Sequence, residues 1–159
     1  MKEIKNASSS QSIPVWIGGS GEKVTLPLVV KIADGCSLQG SLSAVEQKVA
    51  LLRSLCEAGG RKFDTITVSK QSNVIISDDE NGVKRKLRGI ISDKAKWPSF
   101  RENNIVGTPI ECAQQISRLA SAGVTYFTLN FPDVLSGLDS VRLFDKEVIA
   151  KLRSASIYA

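Results

Sequence analysis

The chain has 159 residues, of which 42% are hydrophobic and 23% charged, a composition typical of a soluble globular domain. The formal net charge is +5 and histidine is absent, which removes the commonest general base and metal ligand and excludes a Ser-His-Asp triad or a histidine-bound zinc. No apolar run reaches the roughly 20 residues that cross a bilayer, so no membrane partner is expected.

Residues 1–12 are polar and rich in serine, and they predict a disordered leader. They lack the apolar segment of a secretory signal, so the expected location is the cytoplasm. The remaining residues, 13–159, have a length that predicts one domain. Cys36, Cys56 and Cys112 are an odd set without CxxC spacing, so we expect buried thiols with neither a disulfide nor a metal.

The first predicted unit is a buried strand at residues 14–17, closed by a glycine-rich turn at residues 18–21, the glycine loop. A helical pattern follows from Glu22 to Ala33, with apolar residues at Val24, Leu28, Val29 and Ile32. Pro27 lacks the N–H that a helix interior uses. It therefore predicts either a kink or a helix that begins late and holds Pro27 in its first turn.

The second predicted unit has a very short strand at residues 36–38. Ser43, with Glu46 three residues later, has the spacing of a capping box and predicts that the next helix is capped at Ser43. Gly59 and Gly60 should end that helix. Residues 66–68 predict a third strand, and the apolar residues 74–76 are suited to extend it.

Residues 78–104 form a charged insertion in which some helix is expected. Its basic residues are Lys84, Arg85, Lys86, Arg88, Lys94, Lys96 and Arg101. Such a stretch is typical either of a solvated helix face or mobile loop or of a nucleic-acid contact. No aromatic RNA-binding pattern, zinc finger or clear helix-turn-helix accompanies it, so the first interpretation is favoured and no nucleic-acid partner is expected.

The last predicted unit begins with a helix that has Thr108 as N-cap, Pro109 at its first position and Glu111 at its third. Gly123 should end this helix, residues 126–129 predict a fourth strand, and residues 138–152 predict a final amphipathic helix. Strands that alternate with amphipathic helices indicate an α/β fold with parallel pairing and right-handed crossovers.

Five segments, taken in order, resemble one known family. They are residues 14–23 (PVWIGGSGEK), 33–36 (ADGC), 52–61 (LRSLCEAGGR), 106–109 (VGTP) and 122–127 (AGVTYF). They are similar to motifs of the luciferase-like monooxygenase superfamily, particularly its branches that depend on FMN or on coenzyme F-420, a deazaflavin. Methylenetetrahydromethanopterin reductases belong to the second branch. Cys36 departs from the pattern, because the family usually has a bulky aromatic residue there.

The resemblance implies a partial (β/α)8 barrel, with the four predicted strands corresponding to strands five to eight. Length agrees with this count, because a complete barrel typically needs about 250 residues. A half-barrel has two open edges and exposes part of its inner apolar layer. We therefore expect a homodimer or a separately encoded N-terminal half-barrel as partner, besides a small-molecule substrate.

The glycine loop is the first candidate site, and its residues are Gly18, Gly19, Ser20 and Gly21. Glycines allow close backbone approach, and free N–H groups at a helix start favour an anion. Lys23 and Thr25 could add a charge and a hydroxyl. The resemblance implies that this loop binds the phosphate of FMN or coenzyme F-420. The alternative is a tight turn that needs glycine only for its backbone angles.

The end of the second strand is the next candidate, with Gly40 and Ser41 beside the same phosphate. A turn that simply precedes a capped helix is an equal alternative. Ser69, Lys70, Gln71 and Asn130 leave the third and fourth strands and are weaker candidates for substrate contact. No residue can be named as the catalytic base, because the ring of the cofactor in the resembled enzymes lies against their first half.

Two functional hypotheses follow. The chain is a fragment or subunit of a flavin- or deazaflavin-dependent oxidoreductase, incomplete as a single chain. Alternatively, it is a non-catalytic truncated half-barrel that self-associates as a dimer.

Overall fold

Five parallel strands make one sheet in the computed structural model, which describes residues 13–19 and 21–154. They are β1 (Trp16–Gly18), β2 (Gly35–Leu38), β3 (Thr67–Ile76), β4 (Ile105–Gly107) and β5 (Tyr126–Asn130). The predicted leader, residues 1–12, lies outside the described residues, as does Ser20. Strands occur at all four predicted places, and β4 is an additional strand that we did not predict. The prediction that the first strand is buried is wrong, because Val15 and Trp16 are exposed and β1 pairs only with β2 among the described residues.

β3 is the strand around which the sheet is built. Its first four residues pair with β2, its middle residues 69–73 pair with β5, and its last three pair with β4. Because Ser69 and Lys70 pair with both β2 and β5, those two strands lie on opposite edges of β3. The predicted extension through residues 74–76 is therefore confirmed, as one continuous strand of ten residues.

Helices follow the strands. They are α1 (Thr25–Ile32), α2 (Leu42–Ala58), α3 (Glu80–Ile90), α4 (Trp97–Asn103), α5 (Pro109–Ala122), α6 (Asp139–Phe144) and α7 (Ala150–Ser154). A π-helical turn at Asp145–Ile149 joins α6 to α7, so the predicted final helix is one helical path of three parts. Together with the parallel sheet, these helices form a partial (β/α)8 barrel.

α1 and α5 begin as the sequence indicates. α1 starts at Thr25, which leaves Pro27 in its first turn and confirms the late start. In α5 the Glu111 carboxylate accepts hydrogen bonds from the Thr108 backbone N–H at 2.7 Å and from the Thr108 hydroxyl at 2.8 Å. Gly123 ends α5 with a φ of 115°, a backbone angle that favours glycine.

The predicted cap of α2 at Ser43 is wrong. The N-cap is Ser41, whose hydroxyl accepts a hydrogen bond from the Ala44 backbone N–H at 3.3 Å, while Ser43 lies inside the first turn. Both residues are serines two positions apart, and a capping-box spacing alone does not show which of them has the extended backbone that a cap requires. The predicted end at Gly59 and Gly60 is confirmed.

The charged insertion consists of α3, a short 3-10 turn at Lys94–Lys96 and α4. Val83 and Leu87 of α3 are buried against β3 and β4, while Lys84, Arg85 and Arg88 are exposed. Arg101 pairs with Glu80 at 2.7 Å. This arrangement is that of an amphipathic helix with a solvated basic face.

The core lies between the sheet and the helices. One cluster joins β2 and β3 to α1 and α2, and a second joins the end of β3 to α5 and to the path from α6 to α7. Cys36, Cys56 and Cys112 are all buried free thiols, as expected. Burial raises the pKa of Cys36 to about 11 and that of Cys112 to about 12, so both are thiols at neutral pH.

The opposite face of the sheet would be the interior of a complete barrel, and it is largely polar here. Paired residues of a parallel sheet point to the same side. The residues on this face are Trp16, Gly18, Gly35, Ser37, Thr67, Ser69, Gln71, Asn73, Tyr126, Thr128 and Asn130, followed by Ile75 and Val106, which α3 covers. The expected exposed apolar layer is therefore reduced to Trp16 and Tyr126, which are 43% and 54% exposed and meet edge to face at 5.6 Å.

Candidate functional site

The glycine loop connects the carboxyl end of β1 to α1. Gly19 has a φ of 120°, and its backbone N–H donates to the Ser37 carbonyl at 3.3 Å, which fixes the loop to β2. The Gly21 carbonyl accepts from the Leu26 N–H at 3.0 Å, which fixes it to α1. The predicted location, at a strand end and directly before a helix, is thus correct for Gly18, Gly19 and Gly21.

Thr25 lies directly against this loop. A Cβ added at Gly21 would be 3.0 Å from the Thr25 Oγ1, and one added at Gly19 would be 3.4 Å from its Cγ2. At Gly18 a Cβ would meet nothing within 4 Å, so the space above the end of β1 is open. The structure therefore brings together three of the four glycine-loop residues and Thr25. Lys23 is exposed in the turn before α1.

The loop after β2 holds the second pair of candidates. Gly40 has a φ of 117°, and its carbonyl accepts a hydrogen bond from the Lys70 Nζ at 3.0 Å. The Ser41 hydroxyl accepts from the Ala44 backbone N–H and caps α2, while its own O–H hydrogen is still able to donate. The alternative interpretation, a turn before a capped helix, accounts for Ser41.

The position of Lys70 is the feature of this region that was hardest to predict from the sequence. It lies within β3 rather than after it, and its side chain is on the helix-facing side with Leu38 and Phe127, only 3% exposed. Its Nζ donates to the Gly40 carbonyl at 3.0 Å and to the Asn103 carbonyl at 3.3 Å. Burial, and then the nearby charge of Lys48, lower the pKa of Lys70 below its usual value.

A polar cleft of about 330 Å³ opens beside Lys70. β2 pairs with β3 only as far as Lys70, and β4 begins to pair at Val74, so the edge of β3 between them has no strand partner within the described residues. Gln39 and Gly40 lie on one side of this gap, and Asn103 and Asn104 on the other. A second opening reaches Lys70 from the side of Arg101 and Glu102.

Asparagines connect the cleft to the inner face of the sheet. The Asn130 Nδ2 donates to the Asn73 Oδ1 at 2.8 Å, and the Asn73 Nδ2 donates to the Asn104 Oδ1 at 3.0 Å. The Ser69 hydroxyl donates to the Cys36 carbonyl at 3.0 Å and is buried. Of the weaker candidates, Lys70, Gln71 and Asn130 thus lie in or next to one polar region, while Ser69 bonds within the sheet.

The chemistry available in this region includes the binding of polar and charged groups. It contains backbone N–H groups, amides, hydroxyls and lysines, all of which suit anionic or hydrogen-bonding groups. Within residues 13–19 and 21–154, no group of acids and cysteines could hold a metal ion. No helix of the same residues is long and apolar enough to cross a membrane.

Solved structures support the same fold. The coenzyme F-420-dependent tetrahydromethanopterin reductase from Methanopyrus kandleri is 20% identical with a TM-score of 0.66, over 87% of this chain and 51% of that one. A riboflavin lyase solved with modified FMN is 17% identical with a TM-score of 0.72, over 91% and 43%. The EDTA monooxygenase of a Chelativorans species is 18% identical with a TM-score of 0.71, over 92% and 48%.

The chain therefore spans about half the length of these proteins, between 43% and 51% of each. At such low identity they show the fold alone. None of the curated proteins compared with the sequence matches it significantly. The family model described as luciferase-like monooxygenase matches residues 3–126, most of the sequence. The chain belongs to the luciferase-like monooxygenase family.

Proposed function

We propose that this chain is half of a flavin- or deazaflavin-dependent oxidoreductase, and that its glycine loop binds the phosphate of FMN or of coenzyme F-420. The observation that carries the proposal is the glycine loop itself, which the fold places at the carboxyl end of β1 and directly before α1. Active sites of (β/α)8 barrels lie at this end of the strands. The relatives named for coenzyme F-420 and for FMN favour these two cofactors without choosing between them.

The loop is compatible with a phosphate. The open space above Gly18 admits an anion, and the absence of a side chain at Gly21 keeps the backbone accessible beside the Thr25 hydroxyl. The amino end of α1 and the exposed Lys23 add positive potential. When bound, the cofactor supplies hydride transfer, and this chain contributes the groups that bind its phosphate.

The other half of the cofactor pocket has to come from elsewhere. α3 covers the inner face at Ile75 and Val106. Along β1, β2 and β5 the inner face is largely polar, with Trp16 and Tyr126 as its exposed large apolar groups, so it does not enclose a ring system. We expect the chain alone to bind cofactor weakly and to turn over no substrate. Its partner in this proposal is a separately encoded N-terminal half-barrel.

Fluorescence titration tests the cofactor proposal. FMN or coenzyme F-420 should bind, and riboflavin, which lacks the phosphate, should bind at least about tenfold more weakly, a difference of about 1.4 kcal/mol. Gly21→Val should reduce FMN binding because its side chain meets Thr25, whereas Gly89→Ala, at a position with nothing within 4 Å, should leave it unchanged. If neither FMN nor coenzyme F-420 binds, the proposal is wrong.

The second candidate function is a non-catalytic half-barrel that dimerises. It is favoured by the apolar side chains next to the open edge of β1, where Val15, Leu28 and Ile32 are each more than 40% exposed. Sedimentation equilibrium distinguishes the two. A folded dimer that binds neither cofactor supports this candidate, and a folded monomer at micromolar concentration contradicts it.

A further inference from the structure

Lys70 is a buried lysine whose charge is not neutralised by any carboxylate of the described residues. Across the described ranges 13–19 and 21–154, no ion pair within 4.0 Å includes Lys70, whereas Lys86, Arg101 and Arg118 each pair with an acid. Lys70 is nevertheless 3% exposed, and its partners are two neutral carbonyls. Buried charges are normally paired, because removing an isolated charge from water is costly.

A second polar group on the same stretch of β3 also lacks a partner. The Ser72 Oγ is buried and has no hydrogen-bond partner among the residues that the structure describes, although Ser72 lines the cleft beside Lys70. Ser72 is 2% exposed. Buried hydroxyls without a partner are uncommon and cost free energy, so a group that reaches this one would recover a hydrogen bond.

The remaining walls of the cleft offer hydrogen-bond donors. Gln71, Asn73, Asn103 and Asn104 line it with amides, and none of the lining residues is acidic. The Asn103 Nδ2 donates to the Ser99 carbonyl and the Asn104 Nδ2 to the Phe100 carbonyl. Among the described residues, the donors left for a ligand include the third hydrogen of the Lys70 ammonium and the Ser72 hydroxyl. An anionic oxygen would meet a cation and hydrogen-bond donors without a repelling carboxylate.

We propose that this cleft is an oxyanion-binding site in which Lys70 neutralises the carboxylate or phosphate group of a small ligand. It is separate from the glycine loop, because it lies at the gap between β2 and β4 and is lined by neither Gly18 nor Gly21. The site therefore stands whether or not the chain binds a flavin. Its volume of about 330 Å³ admits a small molecule of several heavy atoms.

Calorimetric titration of the full chain with inorganic phosphate and with malonate tests this site, at an ionic strength held constant with chloride. We expect saturable binding of at least one anion, and the comparison of the two identifies phosphate or carboxylate as the preferred group. Lys70→Met should weaken binding at least about tenfold, because it removes the charge-assisted hydrogen bond to the anion. Lys31→Met, which removes an exposed lysine of α1, should leave affinity unchanged.

Two further variants locate the site. Ser72→Ala should weaken anion binding while leaving the fold as stable or more stable, since it removes a hydroxyl that has no partner. Arg85→Met, at an exposed position of α3, should retain the binding that Lys70→Met loses. Circular dichroism verifies that each variant is folded. The proposal is overturned if neither phosphate nor malonate binds saturably, or if folded Lys70→Met binds them as tightly as the wild type.

Discussion

Arg61 shows how one side chain fixes the end of a helix to the rest of the fold. Its guanidinium donates to the Val29 and Val30 carbonyls in the last turn of α1 and to the carbonyl of its C-cap Ala33, at 3.2, 3.1 and 2.7 Å. Its Nε also donates to the Thr65 hydroxyl at 3.0 Å. A cation at this position satisfies orphan carbonyls and interacts favourably with the helix dipole.

Arg61→Met should therefore destabilise the protein by about 2–4 kcal/mol, because several charge-assisted hydrogen bonds are lost at once. Arg61→Lys should recover less than half of this, since an ammonium group cannot span three carbonyls. Urea unfolding gives both values. Arg85→Met, at an exposed position of α3, is the control and should change stability by less than about 0.5 kcal/mol. Equal stability of the Arg61 and Arg85 variants would show that the α1 contacts contribute nothing.

Lys70 should make stability depend on pH in the alkaline range. Burial lowers its pKa in the folded state, so between the folded and unfolded pKa values the unfolded chain binds more protons. The contribution of Lys70 to the free energy of unfolding therefore rises with pH between its folded-state and unfolded-state pKa values. The charged groups that face Lys70 are Lys48 on α2 and, at the outer opening, Arg101 and Glu102.

The wild type should accordingly gain stability relative to Lys70→Met as the pH rises from neutral toward the usual lysine pKa of about 10.4. Urea midpoints measured across this range check the sign. Lys31→Met supplies the matched comparison, and its difference from the wild type should stay constant. If the difference in stability between the wild type and Lys70→Met is also constant with pH, Lys70 is not desolvated in the folded state.

At the scale of elements, the start of α2 provides a direct comparison of two serines. Ser41→Ala should cost about 1 kcal/mol, the usual loss for a helix N-cap. Ser43→Ala should change stability by less than about 0.5 kcal/mol, because Ser43 bonds only the Ser41 hydroxyl, at 3.2 Å. Thermal or urea unfolding of the two variants suffices. A larger loss of stability in Ser43→Ala than in Ser41→Ala would identify Ser43 as the cap.

Long amphipathic elements were predictable because their patterns are local. Pro27 indicated the late start of α1, and Thr108 with Glu111 indicated the start of α5. β4 was not predictable, since three residues carry no periodicity and pair only because β3 extends beyond β2. The π-helical turn after α6 has no sequence signal of its own, because it depends on how this helix packs against α5.

The candidate site was partly predictable for the same reason. Glycines between a strand and a helix mark a loop from local sequence alone, and Gly40 was found in this way. Lys70 was recognised only as a residue that leaves a strand, because a lysine between polar residues is usually exposed. Its burial results from the tertiary arrangement of β2, β4 and the insertion, which no window of sequence contains.

For the whole molecule, we expect exposed apolar side chains of α1 and of the segment before β1 to form the association surface. Leu28 and Ile32 are exposed on α1 four residues apart, and Val15 precedes β1, which pairs only with β2 among the described residues. Leu28→Glu and Ile32→Glu should each abolish association, with a second copy or with an N-terminal half-barrel, while the chain remains folded. Analytical ultracentrifugation measures this. Lys31→Glu on the same helix controls for charge, and unaltered association of all three variants would place the interface elsewhere.

The shared position of β3 between three other strands also has a consequence for local opening. Any one of β2, β4 or β5 can detach while the other two keep β3 in place. Backbone amides of β3 should therefore exchange with deuterium only when the whole domain unfolds, whereas those of β1, paired to one strand and only three residues long, should exchange by fraying. Native-state exchange read by mass spectrometry should show β3 as the last segment to take up label, and simultaneous exchange of β1 and β3 would contradict this order.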